Sequence, residues 1–228
     1  MFLARLLVLF SLVCISCAHS SFEQKQLKHA LDFATSNRLE LEILLQHYTY
    51  DSLKLEAAKF LIRNMPHCYS YQQGGEMDSV KRVRTYYSPF GQIDQTYARR
   101  WGHYTYRNLP KIYDAHIITA EYLIDNIDRA FDNWQKRPWN RSLSFEDFCE
   151  YLLPYRIGDE PLEEWRELYE KKYGYLLDSI YKGSDVVEAA NLVSRHLQEP
   201  VFIYCEDFEL PHIGPRYLLD RKSTRLNS

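Results

Sequence analysis

Cys149 sits in the run SFEDFCEYLLPYR, Ser144 to Arg156, and is the first residue of this sequence to raise the question of covalent chemistry. A thiol nucleophile needs a helix N-terminus or a neighbouring base to lower its pKa, together with partial exposure. Cys149 has neither nearby. Ser144 and Pro154 place it in mid-helix, beside Phe148 and two residues from Tyr151, with no histidine within fifteen residues on either side. These surroundings predict a structural, half-buried thiol. Cys68 follows Pro66-His67 in a tyrosine-rich turn. Cys205 lies in the apolar run VFIYCE, with His212 seven residues on and acids at Glu206, Asp207 and Glu209. A strand and turn that brought His212 back would be the one route to an active thiol, so the sequence predicts no catalytic residue in this chain.

Metal chemistry is equally poorly supplied. His67 and Cys68 are adjacent and cannot easily face one ion together. His47, His103, His116, His196 and His212 are scattered, with no H-x-x-x-H or H-E-x-x-H. No metal site and no cofactor is expected. Glu160, Glu163 and Glu164 have the residue types of a glycosidase pair, but acids in a first helical turn are explained by the helix dipole. Asn140-Arg141-Ser142 fits the spacing of a glycosylation sequon.

The elements that would hold these residues read as helices. Two short ones in EQKQLKHALDFATSNRLELEILLQHY break near Ser36-Asn37. A third, capped by Asp51, puts Leu53, Ala57, Phe60 and Leu61 on one face and ends before Pro66. In YDAHIITAEYLIDNIDRAFDNWQ, the spacing of Ile117, Ala120, Ile124, Ile127, Phe131 and Trp134 predicts one long amphipathic helix. Ser144 and Asp147 have the spacing of a capping box, and Pro154 stops the helix they open. Pro161 fits a first helical turn, from which Leu162, Trp165, Tyr169, Leu176 and Ile180 carry a helix to Gly183. A last helix spans SDVVEAANLVSRHL, and only EPVFIYCEDFEL reads as extended. The predicted fold class is mainly α: an irregular multi-helix domain with a Tyr-rich loop region at residues 70–110 and little β.

That loop region is the candidate binding surface. From Val80 to Lys111 there are seven basic residues and one acid, Asp94. Tyr86, Tyr87, Arg99, Arg100 and Trp101 are the candidate ligand-binding residues, for a glycan or an anionic ligand stacked on aromatic rings. The alternative is an insertion packed on the helices with its charges solvated. A formal net charge of −3 for the chain argues against nucleic acid as a partner.

The ends predict processing. Arg5, the apolar run Leu6 to Val13 and the small residues before Cys17 make a signal peptide over residues 1–17, shorter than the roughly 20 apolar residues of a membrane span. VCISC resembles a bacterial lipoprotein signal, which implies that Cys17 carries lipid and that the membrane is a partner through this anchor. Ordinary secretion with cleavage near Ala18 is the alternative. DRKSTRLNS, residues 220–228, resembles the translation of a common sequencing adapter, which implies a non-native tail behind a truncated helical domain of residues 18–219.

Three stretches then resemble one family. They are LEILLQHYTYDSLKLEAAKFLIRNMPHCYSY, ITAEYLIDNIDRAFDNWQKRPWNRSLSFEDFCEYLLPYRIGDEPLEEWRELY and LPHIGPRYLL. They resemble the N-terminal region of Bacteroidetes-type lipoproteins with a transglutaminase-like domain, with FLIRNMP and FCEYLLPYR as landmarks. The resemblance implies a cell-envelope location and a papain-like thiol site in the parent: a Cys nucleophile, a His base and an orienting Asp, acting on amide bonds of protein or peptide. It places these residues after the segment seen here, and neither Cys149 nor Cys205 matches the nucleophile. The rival expectation is a lipid-anchored, non-enzymatic helical module that binds glycan or peptide.

Overall fold

A computed structural model of the chain describes residues 21–72, 109–137, 140, 142–156, 158–179 and 186–197. It is mainly helical, with seven α-helices and one two-stranded sheet among these residues. Helix α1 covers residues 21–33 and turns through a 3-10 segment, Thr35–Asn37, into α2, Arg38–His47. The corner is tight enough to hold Thr35 at φ 52°, a left-handed conformation that a β-branched residue rarely adopts. Asn37 braces it from outside the helices, its Nδ2 donating to the carbonyls of Ala115 (3.0 Å) and Ile118 (2.8 Å).

Helix α3, Ser52–Asn64, begins where the Asp51 carboxylate accepts from the Lys54 N–H at 3.1 Å. Pro66 does not stop the chain dead but sits in a 3-10 turn, Met65–His67. The face turned inward is Ala57, Ala58, Leu61 and Ile62, while Leu53 is exposed. Ala57, Phe60 and Leu61 of the predicted face do pack on the core, while Leu53 in the first turn of α3 does not.

Strand β1, Tyr69–Tyr71, pairs antiparallel with β2, Lys111–Tyr113, placing Tyr69 opposite Tyr113 and Tyr71 opposite Lys111. The described edges of the predicted irregular region, residues 70–72 and 109–110, thus belong to or adjoin a small sheet. A 3-10 turn, Asp114–His116, follows β2, and α4 runs from Ala120–Lys136. The predicted helix from Tyr113 was too long at its start. Thr119 Oγ1 accepts from the Tyr122 N–H, Glu40 of α2 accepts from the Ala120 N–H at 2.7 Å, and Ile117 is exposed.

Helix α5 starts as Phe145–Asp147 and continues as a π-helix, Phe148–Leu152. The predicted capping box is present: Ser144 Oγ accepts from the Asp147 N–H at 3.0 Å, and Asp147 accepts from the Ser144 N–H. Helix α6 is Trp165–Ser179 and α7 is Val186–Leu197. Pro161 lies outside α6, so the predicted N-terminal proline turn is not formed. The predicted reach of that helix from Ile180 to Gly183 lies outside the described residues.

One core joins α1 to α5, built on Leu41, Leu44, Ile62, Leu123, Ile127 and Phe148. Its densest part is aromatic. Trp134 stacks on Phe148 at 4.4 Å between ring centres, and Phe131 meets Phe148 edge-on at 4.7 Å.

Candidate functional site

The segment from Pro154 to Glu164 joins α5 to α6, its described residues have no regular structure, and Arg156 within it and Arg166 just after it fix it. Arg156 reaches back across the chain to Asp114 in a fork: Nε to Oδ2 at 2.6 Å and Nη2 to Oδ1 at 2.7 Å. The Asp114 side chain has no solvent exposure and that of Arg156 only 7 %. Nη1 of Arg156 donates to the carbonyls of Tyr69, Gly158 and Glu160, so β1, the turn after β2 and the loop after α5 meet at one guanidinium. Burial pushes the Asp114 carboxyl up despite the guanidinium beside it. Burial pulls Arg156 down, but the Asp114 carboxylate outweighs it and holds Arg156 above its ordinary value. The two short charge-assisted bonds keep the pair ionised.

Arg166 does a different task in α6. Its Nη2 donates to the carbonyls of Leu152 (2.6 Å), Leu153 (3.2 Å) and Pro154 (3.0 Å), which are left unpaired where α5 ends. Its Nε donates to Asn126 Oδ1 at 2.5 Å, and Asn126 Nδ2 donates to the Leu153 carbonyl at 2.9 Å. Among the described residues no carboxylate touches this guanidinium. Burial pulls it down to about 10, with Tyr122 and Asp125 opposing. Beside it, the Trp165 indole N–H donates to the Tyr155 carbonyl and the Tyr122 hydroxyl donates to that of Glu163. Glu160 accepts from the Gly158 N–H, so it caps a loop turn rather than the helix the sequence suggested for it.

The thiols are controlled by burial. Cys149 is 3 % exposed in the π-helical part of α5. Burial pushes it up to about 11, Glu146 and Glu56 add to the rise, and Arg63 opposes. Cys68 donates to the Asn64 carbonyl at 3.6 Å and is also raised by burial, against which the Tyr155 hydroxyl works. The Tyr155 ring is 4 % exposed, and its hydroxyl has no hydrogen-bond partner of good geometry among the described residues. His116 Nε2 donates to the Phe33 carbonyl at 3.0 Å and so ties the turn after β2 to α1. Asn140 of the sequon is buried and its amide donates to the Asn133 carbonyl, so it is not presented for glycosylation.

Two concavities are lined by described residues. A small groove of about 160 Å³ runs between α4 and the start of α6 past Tyr122 and Trp165. A larger open cleft of about 630 Å³ lies between α1, α3 and α5, with Cys149 at its floor. Among the described residues no group of three or more His, Cys, Asp or Glu side chains is arranged to hold a metal. None of the described helices is long and apolar enough to cross a membrane.

Cys17 and the proposed ligand residues Tyr86, Tyr87, Arg99, Arg100 and Trp101 lie outside the described residues, as do Cys205, His212 and the 220–228 tail. What the sequence reading missed are Asp114, Asn126, Arg156 and Arg166. Their only local signal is two arginines flanking a loop that begins at a helix-stopping proline. No family model, no curated protein and no solved structure matches this chain.

Proposed function

We propose that this chain is the helical, non-catalytic N-terminal region of an envelope-anchored, transglutaminase-like lipoprotein, held to the membrane through Cys17. The parent's amide-bond chemistry then belongs to a Cys, His and Asp series beyond residue 219. The observation that carries this reading is the use made of FCEYLLPYR, one of the two landmark runs. Phe148, Cys149, Leu153, Tyr155 and Arg156 all point into the core or the Asp114 pair, and the thiol at the centre is held protonated. A run spent on folding suits a lead-in region, whereas a nucleophile would need a lowered pKa and an approachable sulfur.

The test compares this chain with one extended along its natural reading frame, assayed for incorporation of a fluorescent primary amine into a glutamine-bearing protein. The extended chain is expected to turn over and to be blocked by iodoacetamide, and the present chain to be inert. In the extended chain, Cys149→Ala and Cys68→Ala are expected to leave turnover unchanged. Loss of turnover in Cys149→Ala with helical content intact overturns the reading. Unchanged membrane fractionation of Cys17→Ala removes the anchor from it.

A further inference from the structure

We propose that the open cleft between α1, α3 and α5 is a binding site for a short neutral oligosaccharide. Its volume, about 630 Å³, falls within the few hundred to a thousand Å³ usual for ligand sites. Phe60, Phe145 and Tyr151 supply aromatic lining, and Tyr151 is 74 % exposed beside the exposed Glu150. An exposed ring beside a concave surface is the platform on which the C–H face of a sugar stacks.

The charges decide which ligand fits. Glu23 pairs with Arg63 at 3.3 Å, Glu56 with Lys59 at 2.7 Å, and Asp147 is engaged in the capping box with Ser144. Glu23, Glu56 and Asp147 are thus engaged, which leaves Glu146 and Glu150 as the lining carboxylates available to a ligand. Arg63, the one arginine in the lining, is already matched, which removes the usual anchor for a phosphate or carboxylate. What is left is Gln26, Asn64, His67, Glu146 and Glu150, a set of amide, imidazole and carboxylate groups suited to the many hydroxyls of a sugar. Asn64 spends its Nδ2 on the Phe60 carbonyl and keeps its Oδ1 as an acceptor. The buried, protonated Cys149 at the floor adds an apolar contact and no chemistry. This site is independent of the parent's thiol chemistry, and either reading can fail alone.

The test is calorimetric titration of the whole chain with a panel of neutral sugars: cellobiose, maltose, lactose, N,N′-diacetylchitobiose and their longer homologues. Saturable binding of at least one is expected, weakened about tenfold by Tyr151→Ala and less by Glu150→Gln, with unchanged melting temperatures. Tri-lysine and inorganic phosphate are run in parallel. Absence of saturable binding across the panel overturns the proposal, as does sugar affinity indifferent to Tyr151→Ala. Salt-sensitive binding of tri-lysine that displaces the sugar overturns it in favour of a cationic peptide.

Discussion

Arg156 and Arg166 stand ten residues apart on either side of one loop, and the interior treats them in opposite ways. Arg156 meets a buried carboxylate and is held above its ordinary value; Arg166 meets carbonyls, an amide and the face of the Trp165 ring, and is pulled down to about 10. Desolvation acts on both. The difference is the counter-charge: a full carboxylate offsets the cost of burying a cation, whereas the partial charges of a helix end offset only part of it. The two anchors therefore have different failure modes. Removing half of the Arg156 pair strands a charge, while removing Arg166 strands carbonyls.

The largest effect expected is at Arg156. Arg156→Met leaves Asp114 buried and alone and is expected to cost about 3–5 kcal/mol of unfolding free energy, read from urea denaturation. Adding Asp114→Leu is expected to restore much of that loss, because a packed apolar pair of similar volume replaces two ions. A double variant no more stable than the single one would break the counter-charge argument. Arg166→Met comes next, at about 2 kcal/mol, since three carbonyls and Asn126 lose a charged donor but no counter-ion is orphaned. Equal losses at the two arginines would erase the distinction between them.

Cys149 sharpens the same comparison with a group of opposite charge type. Burial disfavours the thiolate as it disfavours the Arg166 cation, so Cys149 is pushed up where Arg166 is pulled down. In the unfolded chain the thiol ionises near 9.0 and in the folded chain near about 11. Its contribution to stability is therefore complete below the first value and lost as pH rises through the second. The loss is on the order of 2 kcal/mol. Urea midpoints followed across that window are expected to fall more steeply for the natural chain than for Cys149→Ala. Parallel slopes would mean that water reaches the floor of the cleft.

What was legible in the sequence divides along the same lines. The Asp51 cap and the Ser144–Asp147 box are contacts three residues apart, and short-range chemistry writes itself into sequence. The structural character of Cys149 was legible for the same reason, from its place in mid-helix beside Phe148, which is buried with it. The start of α4 was not. Ile117 keeps the helical spacing, but Asp114 is drawn into a 3-10 turn by a guanidinium 42 residues away, and no local pattern records that demand. Pro161 misled likewise, because the carbonyls of its loop are taken by Arg156 and Tyr122 before a helix can begin at Trp165. The paired strands escaped notice because three-residue segments are too short for an alternation to be seen.

That strand pair also makes a port in the helical body. Register places Tyr71 beside Lys111, and the Gln72 N–H donates to the Pro110 carbonyl at 2.9 Å, so the chain departs and returns through one doorway. Closure at this doorway depends only weakly on what is threaded through it: halving the intervening length changes the entropic term by about 0.6 kcal/mol. The strand pair therefore fixes residues 72 and 110 side by side, and a change in the length of chain between them is felt at this doorway only through that weak closure term.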